Sequence, residues 1–216
     1  MVYEGITTEE GLKLLQTPEC VKVSAGMEHC NIHWFIHKNL LTKHSKFFAS
    51  ALNSSFCESS SNSIAFRKDD PDIVQIFVQW LYCGSNVDKI MELTGDVTNV
   101  DMWVFGDKIQ CPAFQNFTMA NLVRMHENHS IDQNMIFVAY SYSVRGSKLR
   151  QYIMNQFWWD IRPSNNRNKQ RRYRELIEDI DEFGEEFFQS ALSRRKCDQQ
   201  HPSDCEDKYM VTVDGS

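Results

Sequence analysis

The stretch IHWFIHKNLLTKHSKFFASAL, residues 32–52, changes its hydrophobic period midway. Up to His37 the apolar positions alternate. Ile32, Trp34 and Ile36 share one side of an extended chain, which predicts a strand with that side in the core. From His37 onward Leu40, Leu41, His44, Phe47, Phe48, Ala51 and Leu52 recur every three or four residues, the spacing of an amphipathic helix. Ser45 divides that run, and a serine there is expected to cap a second short helix. The segment therefore predicts a strand feeding directly into two short helices.

Working outward, Val21–Val23 also alternate with polar neighbours, and Gly26 lies between the two runs, which predicts a hairpin. Further upstream, Thr7 and Glu10 have capping-box spacing ahead of a helix over 8–16, with Leu12, Leu14 and Leu15 as a small apolar face. Downstream, the serine-rich Ser54–Ser63 reads as a loop, and Ile64 and Phe66 around Ala65 as a short strand. Asp70–Pro71 opens a helix in the expected way, a capping oxygen followed by a proline whose missing N–H is not needed in the first turn. That helix runs through Ile73, Ile76, Phe77, Trp80 and Leu81 to Gly84. Helical spacing dominates thereafter, at 98–110, 112–127, 131–143, 147–158 and 171–192. Arg162–Lys169 is polar and reads as a linker. The fold class is α+β, a small β-sheet flanked by helices, followed by an all-α extension. The expected organisation is an N-terminal helix in 1–17, the α+β domain in 18–127, the helical extension in 128–192 and a disordered tail in 193–216.

The chain has 216 residues, of which 42% are hydrophobic, enough for one domain with a packed core and an appended piece. Lys and Arg total 23 against 29 Asp and Glu, a net charge of −6, which argues against nucleic acid as a partner. No apolar run approaches the roughly 20 residues of a membrane-spanning helix. The acidic N-terminus (Glu4, Glu9, Glu10) does not have the form of a secretory signal, so an intracellular protein of cytoplasm or nucleus is expected. Seven scattered cysteines with no C-x-x-C fit neither a disulfide framework nor a zinc ribbon, and are expected to be reduced.

Chemistry-bearing patterns are weak. His29, His33 and His37 have the four-residue spacing of helical zinc ligands, but the alternation around them predicts a strand. There, four residues span about 13 Å, too far to share an ion. His37 is instead expected to be structural, at the strand–helix junction, and no metal or cofactor is expected. There is no G-x-S-x-G and no glycine-rich phosphate loop, so no catalytic residue is assigned and no enzyme activity is expected. Arg167, Lys169, Arg171, Arg172 and Arg174 form a basic cluster that reads as a nuclear-import signal, an RNA patch or, with the acids that follow at once, the solvated start of a helix. Because cations oppose the dipole at a helix N-terminus, that helix is expected to begin near Arg174. Leu176, Ile177, Ile180, Phe183, Phe187, Ala191 and Leu192 then form one stripe, expected to pack in cis with Trp158–Trp159 in its receiving surface.

The run His37-Lys38-Asn39-Leu40-Leu41-x-x-x-Ser45-x-Phe47-Phe48 resembles the signature of the BTB (POZ) family. Trp34-Phe35-Ile36, Phe56-x-Glu58-Ser59, Asp69-Asp70-Pro71, Trp80-Leu81-Tyr82-x-Gly84 and Trp103-Val104-x-x-x-Asp107-Lys108-Ile109-Gln110 follow in the family's order. The resemblance covers about 18–127 and has the flavour of BTB proteins of filamentous fungi. It implies a non-catalytic protein–protein interaction module whose members often dimerise and in some cases bridge substrates to a cullin in a ubiquitin ligase; others organise transcriptional complexes. In cullin-binding members an apolar residue, any residue, then glutamate contacts the scaffold, and Phe56 and Glu58 match that motif. Trp34, His37, Leu41, Ser45, Phe47, Phe48, Trp80, Tyr82, Gly84 and Asp107 are the signature positions expected to build the scaffold. Two positions depart from the pattern. Cys20 stands where many members have an aspartate ahead of the first strand, linked to the dimer interface. Gly106 replaces the usual alanine, which predicts a mild loss of helix stability.

Overall fold

The computed structural model describes residues 3–16, 19–27, 31–53, 62–84, 98–161, 167–193 and 201–213. It divides into two compact units, one of Met1–Thr98, Phe105–Phe117 and Thr212–Ser216, the other of Asn99–Val104 and Thr118–Val211.

In the first unit, α1 (Thr8–Gln16) precedes the hairpin β1 (Cys20–Ala25) and β2 (Ile32–His37). The short helices α2 (Lys38–His44) and α3 (Lys46–Asn53) follow, then β3 (Ser63–Phe66) and α4 (Pro71–Cys83). The sheet order is β2-β1-β3; β1 runs antiparallel to β2, with Val21 opposite Ile36 and Val23 opposite Trp34, and parallel to β3. Gly26 takes φ +98° as β1 ends. The capping box is present at α1: Thr7 N–H donates to Glu10 Oε2 (3.0 Å) and Glu10 N–H to Thr7 Oγ1 (3.2 Å). Asp70 caps α4 by accepting from Asp72 N–H (2.9 Å).

The expectation that Ile32, Trp34 and Ile36 all enter the core is corrected. Only Ile36 is fully buried; Trp34 is half-buried and Ile32 is 44% exposed. β2 lies at the edge of the sheet, so the far end of its inward side runs out past the core. Cys20, expected ahead of the first strand, is the first residue of β1 and sits opposite His37. The core is supplied by Val21, Val23, Leu41, Phe48, Phe77 and Trp80, all of them fully buried.

Two helices cross the division between units, α5 (Asn99–Lys108) and α6 (Pro112–Met125). Between them the chain closes a Schellman motif: Cys111 N–H donates to Gly106 O (2.9 Å), Gln110 N–H to Asp107 O (3.0 Å), and Gln110 takes φ +51°. A glycine pays less for this conformation, so Gln110→Gly is expected to raise stability by about 0.5–1 kcal/mol, read as a higher midpoint in urea unfolding. Gly106 itself is a packing requirement as well as a weak helix former. A Cβ there would lie 2.9 Å from Gln115 Cγ and 3.3 Å from Phe114 Cδ1.

The second unit is helical: α7 (Gln133–Tyr142), α8 (Lys148–Asp160), α9 (Arg167–Asp179) and α10 (Asp181–Ser193), followed by a 3₁₀ segment, Pro202–Tyr209. Asp132 and Ser147 cap α7 and α8. Their core gathers Leu122, Ile136, Leu149, Ile153, Phe157 and Phe183.

Three expectations are corrected here. The helix expected over 171–192 is two helices parted at Ile180, and the glycine at 184 lets the chain pass close to Ile177, where a Cβ would stand 2.6 Å from the carbonyl oxygen. α9 begins at Arg167, not near Arg174, so 167–169 of the expected linker are helical. The unfavourable dipole is offset by i,i+4 pairs, Arg171 with Glu175 (2.8 Å) and Arg174 with Glu178 (2.9 Å). Finally, 201–211 of the expected disordered tail belong to this unit, with the 3₁₀ segment packed on α8 and Tyr209 only 2% exposed.

Candidate functional site

The signature positions act as a frame. His37 ends β2 and starts α2; its N–H donates to Tyr82 Oη (3.3 Å), and its Nδ1 lies 2.9 Å from the same oxygen. Burial pushes the Tyr82 phenol above its ordinary range. The Ser45 hydroxyl accepts from Phe48 N–H (3.1 Å), as an N-cap should, and donates to Ile109 O, joining α3 to the residue after α5. Leu41, Phe48 and Trp80 are buried; Phe47 is half-buried, its ring edge against Phe48 (5.3 Å). Asp107 is exposed and accepts from Gln115 Nε2 (3.2 Å).

Gly84 ends α4 at φ +59°, its N–H donating to Trp80 O. A Cβ there would run into the backbone of Glu4 and Gly5. This crossing seats the N-terminal segment on α4. Tyr3 Oη donates to Leu81 O (2.8 Å) and Ile6 N–H to Tyr82 O (3.2 Å). The Tyr3 ring packs on His44 (4.5 Å) and Trp80 (4.9 Å). These contacts of Tyr3 were not anticipated from the sequence, because nothing in a lone tyrosine near a terminus signals them.

Two apolar surfaces remain on this frame. On α1, Leu14 is buried while Leu12 (57%) and Leu15 (78%) face solvent, so the expected apolar face is split between anchor and surface. Lys43, by its ion pair with Glu10 (2.6 Å), and Thr7 hold the helix start in place and lower the Glu10 carboxyl to about 2. On the outer side of the sheet, Phe35 is 66% exposed beside His33 (rings 5.9 Å apart, edge on) and opposite Lys22. Phe56 and Glu58 follow α3, which ends at Asn53, and lie outside the described residues.

Burial drives the Cys111 thiol up to about 12 and holds the His44 imidazole down to about 4. His33 and His37 stand in a strand as the alternation predicts; His29 lies outside the described residues. Among the described residues, no three His, Cys, Asp or Glu side chains gather as a metal site, and no helix is long and apolar enough to cross a membrane.

Residues 21–104, from β1 into α5, match the family model of the BTB/POZ domain. No curated protein matches the chain.

Proposed function

From a chain that carries a BTB/POZ domain, a protein–protein interaction module of a generally non-enzymatic kind, we propose that its role is that of a scaffold working through homotypic or heterotypic contacts. The observation that supports this reading most is the pair Leu12 and Leu15. Both are held outward on a helix that is capped, ion-paired and anchored by Leu14. A large apolar side chain on a rigid element is the kind of group that anchors a protein interface. Homodimerisation through this face is the first expectation, inside the cell, with no cofactor.

A second reading, adaptor of a cullin-RING ubiquitin ligase, is supported by Phe56-x-Glu58 directly downstream of α3. Size-exclusion chromatography with light scattering tests both. Run alone, the chain is expected to elute at twice its monomer mass; a monomer sinks the homotypic contact. Run with a purified cullin N-terminal region, wild type is expected to co-elute and folded Glu58→Ala to bind about tenfold or more weakly. Absence of co-elution with wild type removes that cullin as a direct partner.

A further inference from the structure

Lys148, Tyr152, Asn155 and Trp159 recur along α8 at helical spacing, and this stripe is covered by residues that follow the last helix. Tyr209 inserts edge-on against Tyr152 (5.2 Å), and its hydroxyl accepts from Asn155 Nδ2 (3.1 Å). Lys148 Nζ donates to the Lys208 carbonyl (2.8 Å), a cation at the end of the 3₁₀ segment. At the other end His201 stands perpendicular on Trp159 (4.6 Å), with Pro202 buried beside it in sequence. Tyr152 is itself fixed from below, its hydroxyl donating to Leu122 O (3.3 Å). The floor is thus preformed, while the occupant is a short linear segment. That segment is not one cooperative helix: Cys205 breaks it with φ −134° and ψ 34°. A short, broken 3₁₀ piece packed on α8 opens at lower cost than the unit beneath it.

We propose that this stripe of α8 is a docking surface for a peptide segment that presents a tyrosine with an accepting backbone carbonyl just before it, and that residues 201–211 hold it in cis as a displaceable strap. The strap defines the partner's chemistry. The Tyr209 ring packs on Tyr152, its hydroxyl meets Asn155 and the carbonyl before it meets Lys148. An incoming segment of that kind displaces the strap.

The test uses the full chain and a fluorescein-labelled peptide of residues 201–213, read by fluorescence anisotropy. Full-chain Tyr209→Ala frees the stripe and is expected to bind the peptide with a Kd on the order of 10 µM. Wild type is expected to bind roughly 100-fold more weakly, because a short tether holds its own strap near millimolar effective concentration. No binding by folded Tyr209→Ala overturns the proposal, as does equal binding by both proteins. Hydrogen exchange on wild type decides independently of any variant's folding. The amides of 203–211 are expected to exchange at least tenfold faster than those of α8, and equal protection makes the strap an integral part of the unit and overturns the proposal. A wild-type dimer that becomes monomeric in Tyr209→Ala would seat a second copy's segment on the stripe and overturn the cis strap.

Discussion

Arg150→Ala is expected to destabilise the helical unit by about 3–5 kcal/mol, since it leaves partners of a buried charge without their donor. The Arg150 side chain is 4% exposed, with its guanidinium over the Tyr140 ring (4.6 Å). One amino group donates to Tyr140 O (2.8 Å) and Ser143 O, carbonyls at the C-terminal end of α7 that have no partner within the helix. The other pairs with Glu182 and Glu186. Tyr140 completes the network by donating to Glu186 Oε2 (2.9 Å), and burial together with that carboxylate raises its phenol well above the ordinary range. One arginine therefore caps α7 and ties α10 to it. Arg150→Lys is not expected to rescue, because an ammonium on a flexible stem cannot serve this fork of acceptors. For a unit of about 100 residues the loss corresponds to a melting shift of roughly 12 °C or more, followed by circular dichroism. Arg171→Ala is the contrast: its pair with Glu175 is solvated, and the expected cost is about 0.3–0.5 kcal/mol. Equal shifts for the two variants would refute the buried-network account.

Local sequence rules carried much of the fold. The switch of period at His37 located β2 and α2, Gly26 the hairpin, Thr7 and Glu10 the start of α1, and Asp70–Pro71 the start of α4. Each of these depends on a few neighbouring residues. What could not be read depends on which elements meet. Ile32 and Phe35 belong to an edge strand, and strand order is not contained in alternation. The stripe from Leu176 to Leu192 looks like one helix because its apolar spacing runs on through the break at Ile180, while the close approach of Gly184 to Ile177 is a tertiary feature that spacing does not encode. Its cis packing holds for Leu176, Phe183 and Phe187, while Leu192 is 91% exposed. Trp158 stacks on Phe187 (4.5 Å) as expected, but Trp159 turns to His201. The strap was missed because its overall polarity hid one anchoring triplet, Tyr209-Met210-Val211. At the candidate site, the signature residues proved to be frame, and the surfaces they support became visible only once burial was known.

Trp80→Ala is expected to cost the first unit about 3–5 kcal/mol. The indole is completely buried and touches rings from four parts of the chain: Phe77 (6.1 Å), Phe114 (5.2 Å), Tyr3 (4.9 Å) and His44 (5.5 Å). Among the described residues its Nε1 has no hydrogen-bond partner, so the native side chain already carries a cost for a buried donor. Trp80→Phe removes that donor while keeping a ring, and is expected to cost less than about half of the alanine change. Equal losses would show that the ring retained by phenylalanine contributes nothing and would refute the packing account. His44 supplies a local readout. Burial holds its imidazole down to about 4, below the ordinary 6.5. Because the folded value is depressed, the unfolded chain binds the proton first, and stability falls as pH drops from about 6.5 to 4. The cavity left by alanine admits water beside His44, raises its pKa toward the ordinary value and flattens that acid loss. Titration of the His44 ring protons by NMR in wild type and in whatever fraction of Trp80→Ala stays folded measures it. An unmoved His44 would mean that the neighbouring rings close over the gap, and the stability loss should then fall toward the lower end of the range.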